Sequence, residues 1–344
     1  MTNRKNKFGV ELGRLLEFNN ISIKDYAERI GTTSKNLIDI IDGRVALSFN
    51  IICNISFVSD IPASYIFNVE ENFKVDNSID KYLKDNNLTI RNYINKFNYK
   101  ELKDKYNVEY KNEKNDYSIA RGILGYLRVV DPSVVTKIPN NIFYKSKNDR
   151  PELLALWLER CYRVVKDQKI DTYKKENIYN IVKFIREEAR YNRFNKNKLI
   201  EVFNKNGIFL AIETDLKGAK IRGAFRVLNN KPAVYITTKY KRCADVYFAL
   251  LHELAHCRSD FNRAKSGSIV SFENTNEVED YEIRADNTAY NWMVSDNTYN
   301  NIIINSKAIE FGDEIPAFVV YRLAKDNKIK YSSKMYQDNN KIVN

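Results

Sequence analysis

Between residues 12 and 41 apolar side chains recur with the period of an α-helix, and short polar segments interrupt them. The apolar members of this pattern are Leu12, Leu15, Leu16, Ile23, Tyr26, Ala27, Ile30, Leu37, Ile40 and Ile41. Several short helices are predicted. Ser22 opens a sequence similar to a capping box, Thr33 stands where an N-cap is expected, and Asp42-Gly43 ends the next helix. Two helices joined by a turn containing Gly31 are typical of a helix-turn-helix.

The second helix of a helix-turn-helix places its N-terminal side chains on base edges in the major groove. The candidate DNA-contacting residues here are Thr33, Ser34, Lys35, Asn36, Asp39 and Arg44. Asparagine can pair with adenine and lysine with guanine, whereas Arg44, beyond the helix, is better suited to a phosphate. A small helical protein-interaction bundle is the alternative, because basic and acidic side chains balance in residues 1–75.

Residues 76–195 keep the helical period but contain no pattern that indicates chemistry. Helices are predicted in this region and just beyond it at residues 80–86, 89–97, 118–130, 151–165, 173–190 and 199–205. One of them carries an apolar stripe typical of a core-facing helix, formed by Leu154, Trp157, Leu158, Cys161 and Val165. A linking domain that relays between the two ends of the chain is a hypothesis from position alone.

After Gly207 the pattern changes from helical to strand-like. It predicts strands at residues 208–212, 221–228 and 233–237, the last two joined by a turn at Asn229-Asn230. We therefore expect a small antiparallel sheet before the next helix. These strands are candidates for pairing with an extended peptide substrate, and packing in a core explains them equally well.

The helix that follows contains both histidines of the chain, in the sequence His252-Glu253-Leu254-Ala255-His256. Positions four apart share one face of a helix, so the two imidazoles can bind one zinc ion. Glu253 then lies beside the metal, where a carboxylate can take a proton from a water that zinc has made acidic. An ordinary amphipathic helix is the weaker alternative, because the mostly apolar lead-in would bury two unpaired imidazoles. The motif predicts a zinc-dependent hydrolase.

A catalytic zinc needs a third protein ligand, and no histidine is left to supply it. After a Ser-, Asn- and Gly-rich loop, the spacing predicts a helix that begins near Glu277. On this helix Glu282 and Asp286 are four apart, so Glu282 can bind the metal while Asp286 holds a ligand imidazole from outside. Glu279 is the alternative ligand, although a solvated first turn suits it better, as it does Glu277 and Asp280.

Composition limits the classes of protein to consider. With 344 residues, 44% of them hydrophobic, the chain can form two or three compact domains. It has no run of about 18 apolar residues and no signal-peptide pattern, so we expect a cytoplasmic protein with no membrane partner.

The four cysteines show no paired spacing, and Cys257 points to a different helix face from its neighbour His256. Most of the net charge of +12 lies in residues 76–200. Two interpretations of this basic region are equally good, a solvated surface and a phosphate-binding face.

Two resemblances bring these observations together. SIKDYAERIGTTSKNLIDIIDGR resembles the helix-turn-helix of Xre/Cro-type repressors, and the continuation ALSFNIICNISFVSDIPASYIFNVEENF is similar to the HigA-like antitoxins. HELAH followed by EIRADNTA at residues 282–289 resembles the ImmA/IrrE metallopeptidases, as do the strands before it and IPAFVVYRL at residues 315–323. Cys257, Arg258 and Thr288 depart from the usual residues of that family.

Together these features predict a mostly helical α+β protein in three parts. They are a five-helix helix-turn-helix bundle at residues 1–75, a basic helical linking region at 76–195, and a zincin-like metallopeptidase domain with a small antiparallel sheet at 196–344. In the last part His252, His256 and Glu282 are expected to hold Zn²⁺, with Glu253 as base and then acid and Asp286 orienting an imidazole. The sequence offers three candidates for the group that stabilises the oxyanion, which are Tyr235, Tyr281 and Arg222.

The ImmA/IrrE resemblance implies regulatory proteolysis, in which such peptidases cleave a repressor or an antitoxin. We therefore expect a transcriptional regulator that binds double-stranded operator DNA and cleaves such a protein. A toxin is a further candidate partner, and a homodimer is expected because repressors of this kind usually read two half-sites. The alternative is a repressor or antitoxin whose peptidase-like domain senses a metal or a partner without turnover.

Overall fold

The structure is a computed structural model and describes residues 7–137, 150–272, 279–304 and 311–343. Within these ranges the chain forms two compact units. Unit 1 contains the residues up to 95 and residues 108–134, and unit 2 contains residues 96–107 and those from 135 onward. In the described part of the chain, no helix combines the length and the apolar character needed to cross a bilayer.

The described residues before 138 form helices and the turns between them. The helices are α1 (Lys7–Phe18), α2 (Ile23–Arg29), α3 (Ser34–Ile41), α4 (Phe49–Ser59), α5 (Ala63–Asp85), α6 (Ile90–Asn95), α7 (Tyr99–Tyr106), α8 (Asp116–Leu127) and α9 (Pro132–Val135). The Ser22 hydroxyl accepts a hydrogen bond from the Asp25 N–H and the Thr33 hydroxyl accepts one from the Asn36 N–H, both at 3.1 Å. These caps fix the starts of α2 and α3, as the sequence predicts.

Helix α5 continues through residue 75, where the N-terminal domain was expected to end. Residues 63–85 contain neither Pro nor Gly, so nothing in them stops a helix. Ile66, in its first half, packs with α1 to α4, and Ile79, in its second half, is equally buried. The helix predicted at residues 80–86 is therefore the end of α5.

Unit 2 combines helices with one sheet. Its further helices are α10 (Pro151–Val165), α11 (Ile178–Arg190), α12 (Lys196–Lys205), α13 (Cys243–Ser259), α14 (Phe261–Ala264), α15 (Asp280–Met293), α16 (Asp296–Ile304), α17 (Pro316–Lys325) and α18 (Lys334–Asn339). Pro151 is the first residue of α10, where its fixed φ costs nothing. Buried side chains of α11 and α12 share one core with the sheet and α13. Residues 178–195, expected in a linking region, thus pack in the same core as the sheet.

The sheet has four strands in the order β1 (Phe209–Glu213), β3 (Lys231–Thr237), β2 (Ile221–Leu228) and β4 (Ile269–Phe272). Asn229 and Asn230 turn the β2–β3 hairpin with φ of 49° and 62°, as the sequence predicts. The fold class is confirmed, but the sheet is mixed where an antiparallel one was expected. Strand β3 is antiparallel to β2, its partner in the hairpin. Its other neighbour is β1, which runs in the same direction as β3, so this pair is parallel.

Helix α13 is buried along nearly its whole length, including every residue from 246 to 257. It packs against β2 and β3 on the sheet and against α15. A helix enclosed in this way must be apolar or must pair its polar groups. Its histidines and glutamate therefore need polar partners among the residues that surround it.

Candidate metal centre

Two imidazoles and one carboxylate meet between α13 and α15. His252 and His256 lie four residues apart on α13, and their Nε2 atoms are 3.1 Å apart. Glu282, in the first turn of α15, brings Oε2 to 3.1 Å from His252 Nε2 and Oε1 to 3.3 Å from His256 Nε2. The histidine side chains are 1% and 0% exposed and that of Glu282 is 12% exposed. This buried cluster could hold a metal ion.

The spacing of these atoms fits a small divalent ion. A tetrahedral zinc with bonds of about 2.0–2.1 Å separates its ligand atoms by roughly 3.3 Å. The nitrogen and oxygen atoms of the cluster lie 3.1 to 3.3 Å apart. Two histidines and one glutamate are also a ligand set of catalytic zinc sites. The residues present therefore fit zinc.

A second carboxylate holds each imidazole from the outside. Asp286 Oδ1 lies 2.8 Å from His252 Nδ1, and Asp260 Oδ2 lies 2.9 Å from His256 Nδ1. Such partners fix the tautomer and the ring orientation, so that Nε2 of each ring is left for the metal. Sequence reasoning missed Asp260, although it follows His256 by four residues, the same spacing that marked the two histidines.

Two arginines contact these outer carboxylates. Arg284 reaches Asp260 at 3.2 Å and is itself 58% exposed. Arg222 lies 3.7 Å from Asp286 and stacks over the Phe248 ring at 4.5 Å, with only 16% of its side chain exposed. The chain of contacts from each histidine therefore ends on a positive charge.

The electrostatics of the cluster favour positive charge. Burial lowers the pKa of His256, but its hydrogen bonds with Asp260 and Glu282 outweigh burial and raise the pKa to about 9. The pKa of His252 is likewise raised, because hydrogen bonds with Asp286 and Glu282 outweigh burial. Burial raises the pKa of Glu282, yet its bonds to both histidines hold that pKa well below the usual range. Surroundings that stabilise imidazolium also stabilise a metal cation in the same place.

Glu253 lies beside the cluster and faces the sheet. It is 0% exposed. The Ser271 hydroxyl of β4 is close enough to lower its pKa, but neither carboxylate oxygen forms a hydrogen bond of good geometry with a described residue. Burial raises the pKa of this carboxyl above its ordinary value. A buried carboxylate without well-formed hydrogen bonds is costly, so such a group is a functional-site candidate.

The Glu253 carboxyl fits only because residue 223 of β2 is a glycine. A Cβ added at Gly223 would lie 2.9 Å from Glu253 Cγ and closer still to Oε1. Ser271 of β4 pairs with Gly223 across the sheet, and its Oγ lies 3.1 Å from His252 Nε2. Sequence reasoning missed both residues, because it did not predict β4 and could not assign its register.

The other candidate ligands lie outside the cluster. Glu279 and Asp280 are exposed at the start of α15, where the helix dipole favours acidic side chains. Glu277 lies outside the described residues. Cys257 is buried, with its sulfur 3.5 Å from the Tyr173 hydroxyl.

The three candidates for oxyanion stabilisation lie in different places. The Tyr281 ring is edge-on to the His256 ring, with centroids 5.9 Å apart. Tyr235, on β3, packs against Trp157 with ring centroids 6.2 Å apart. Arg222 contacts Asp286, the outer partner of a histidine.

The candidate DNA-contacting residues lie in unit 1, at and after the start of α3. They are Thr33, Ser34, Lys35, Asn36, Asp39 and Arg44. Lys35 is exposed. Asn36 Nδ2 donates to the Thr32 hydroxyl at 2.8 Å, and Arg44 Nε donates to Asp39 at 2.7 Å. With the Thr33 cap on the Asn36 N–H, intramolecular contacts therefore already engage four of these polar side chains.

Comparison with known families gives one match. The family model Peptidase U49 matches residues 221–313, a segment that runs from β2 past α15 and includes the whole cluster. The match supports a peptidase domain in this part of the chain. No curated protein and no solved structure gave a match. The helix-turn-helix and ImmA/IrrE resemblances stay predictions.

Proposed function

We propose that unit 2 is a zinc-dependent endopeptidase. The observation that carries this proposal is the buried cluster of His252, His256 and Glu282 with the Glu253 carboxylate beside it. The Peptidase U49 match supports hydrolysis of a peptide bond as the reaction. Two histidines four apart on a helix, with a glutamate after the first, are the arrangement of HExxH zinc peptidases.

Each residue of the site has a separate task in this proposal. Bound zinc supplies a Lewis acid that polarises a carbonyl and makes water a better nucleophile at neutral pH. Glu253, whose pKa is raised by burial, takes a proton from the attacking water and returns it to the leaving amide nitrogen. Asp286 and Asp260 hold the imidazoles in the orientation that keeps Nε2 on the metal side.

Replacing the proposed base tests the endopeptidase. Glu253→Gln should keep about one equivalent of zinc and lower kcat by roughly 100- to 10,000-fold, the usual contribution of a general base. The assay uses fluorescein-labelled casein and purified repressor or antitoxin-like proteins, with zinc content measured by atomic absorption. Glu279→Gln, a change at an exposed residue, is the matched control and should behave as wild type. Equal turnover by Glu253→Gln and wild type would refute the proposal, and zinc binding without turnover in wild type would favour the metal sensor.

We also propose that unit 1 binds double-stranded operator DNA, which makes the whole chain a regulator that cleaves a repressor or antitoxin-like protein. The support is the pair of capped helices α2 and α3 around Gly31, with Lys35 exposed at the start of α3. A homodimer would present two such helices to two half-sites, and a toxin is a further candidate partner.

Gel retardation on the promoter of the chain's own gene tests DNA binding. Lys35→Ala with Asn36→Ala should weaken binding by at least tenfold, since each base contact is worth about 1–3 kcal/mol. Lys24→Ala, at an exposed lysine of α2, is the control for loss of one positive charge. An affinity for DNA that does not fall with salt concentration would contradict this proposal. Equal affinities of the double variant and the control would contradict it as well.

A further inference from the structure

Strand β4 brings a hydroxyl group to the candidate metal ligands. Ser271 Oγ lies 3.1 Å from His252 Nε2, the same distance that separates this nitrogen from His256 Nε2. Ser271 is only 2% exposed. It pairs with Gly223, against which the Glu253 carboxyl packs. The hydroxyl therefore lies next to a candidate ligand nitrogen and close to the Glu253 carboxyl.

The chemistry of serine limits what this hydroxyl can do. Histidine, cysteine and carboxylate side chains hold zinc in proteins, and a neutral serine is not among them. The hydrogen bond between Ser271 and His252 Nε2 is lost once that nitrogen binds a metal. The hydroxyl can then donate to the Glu253 carboxylate, until that carboxylate takes the proton of the attacking water. From that step on the buried donor needs another acceptor, because leaving it unpaired costs about 1–3 kcal/mol. The fourth position of a catalytic zinc, which is kept for water or substrate, offers an oxygen.

We propose that Ser271 is a catalytic residue that donates a hydrogen bond to the oxyanion formed when the substrate carbonyl is attacked. The inference rests on the proposed endopeptidase function. The hydroxyl keeps its proton throughout, and no covalent bond to Ser271 forms or breaks. Ser271 thereby takes the role for which the sequence alone suggested Tyr235, Tyr281 and Arg222. Removing one donor of this kind from a hydrolase lowers kcat by about 100- to 1,000-fold.

Kinetics on the full-length zinc protein test the role. Using one fluorogenic peptide selected from a mixed-sequence library, Ser271→Ala should lower kcat roughly 100- to 1,000-fold. KM should change less than about threefold and zinc should stay near one equivalent, because the donor acts only on the charge that develops in the transition state. Ser271→Thr retains the hydroxyl and should recover most of the rate. Ser268→Ala, at another buried serine near β4, is the control.

The position of the side chain can be tested without turnover. Cobalt(II) is loaded in place of zinc into Ser271→Cys and into the control Ser268→Cys. A thiolate that reaches the metal gives a near-ultraviolet charge-transfer band, because sulfur is a soft ligand that binds such ions directly. The band is expected with Ser271→Cys and not with the control. Its absence from Ser271→Cys, in a protein that still binds one cobalt, would overturn the placement.

The outcomes separate the two proposals. If wild type and Ser271→Ala cleave the peptide at the same rate, the role of Ser271 is refuted while the endopeptidase stands. If wild type with one zinc shows no cleavage that depends on Glu253, the endopeptidase proposal fails and the role of Ser271 fails with it.

Discussion

At residue 223 a glycine is needed for space and not for backbone conformation. Gly223 is not among the described glycines with positive φ, so another residue could adopt its extended backbone. What forbids a side chain is Glu253, whose Cγ, Cδ and Oε1 all approach within 3 Å of an added Cβ. The close atoms include Cγ and Cδ of the glutamate as well as its carboxylate oxygen. A substitution must therefore move the whole carboxyl group.

Gly223→Ala should consequently reduce catalysis more than it reduces metal binding. A displacement of about 1 Å of a reacting group can cost roughly 100-fold in rate, and we expect a loss of that order in kcat. Zinc content should stay near one equivalent, because the ligand side chains come from α13 and α15. Activity and atomic absorption on the same preparation check both parts.

The matched control for this substitution is Gly125→Ala. Gly125 is an exposed residue of α8, and nothing lies within 4 Å of a Cβ added there. The change should stabilise the protein by roughly 0.5–1 kcal/mol in urea unfolding, since alanine favours a helix more than glycine does. A Gly223→Ala protein with full kcat would show that the Glu253 carboxyl does not need its present position.

What the sequence could predict at this scale depends on periodicity. His252, His256, Glu282 and Asp286 lie at helical spacings, and the structure brings all four together. The same helical spacing could have predicted Asp260, which follows His256 by four residues. Gly223 and Ser271 were not, because their meeting depends on the register between two strands.

Among the elements, helices α13 and α15 are joined by polar contacts at the candidate metal centre. Asp260 follows directly after α13, bonds His256 at 2.9 Å and contacts Arg284 of α15 at 3.2 Å. Asp260 thus links a proposed ligand to the neighbouring helix. It is 6% exposed, so few other groups can replace it.

Asp260→Ala should therefore weaken zinc binding by about 10- to 100-fold, the usual cost of losing an outer partner of a ligand histidine. Competition with a chromophoric chelator measures the affinity directly. Arg284→Ala removes the exposed end of the same chain of contacts and should change affinity less than about threefold, because exposed ion pairs are worth little. Equal losses in the two variants would show that the ion pair, and not the bond to His256, orients the imidazole.

The elements that the sequence did not predict are those defined by distant neighbours. β4 has four residues, too few for a clear alternation, and it exists because β2 offers it a partner edge. The parallel pairing of β1 follows from the position of β3, which no local pattern in residues 208–212 indicates. By contrast, α2, α3 and α10 were readable because a cap or a proline marks each start.

For the whole molecule, the division into units depends on contacts between remote segments. Residues 96–107 belong to unit 2 although segments of unit 1 flank them in the chain. The Tyr106 hydroxyl donates to the Thr214 carbonyl at 2.9 Å, and Asn98 Nδ2 donates to the Lys217 carbonyl at 2.8 Å. Contacts between residues more than a hundred positions apart leave no periodic pattern in the sequence. Neither periodicity nor composition could therefore have assigned residues 96–107 to unit 2.

Removing zinc should destabilise unit 2 and leave unit 1 unchanged, because the proposed ligands all lie in unit 2. At free zinc about a thousand times Kd, binding stabilises the folded state by roughly 4 kcal/mol. In a unit of this size that corresponds to a rise of about 10 °C in Tm. Calorimetry with and without a chelator should show one transition that moves and one that does not. Glu282→Ala, which lacks a proposed ligand, should respond much less to zinc, and a chelator effect of equal size in that variant would mean that zinc stabilises the protein from another site.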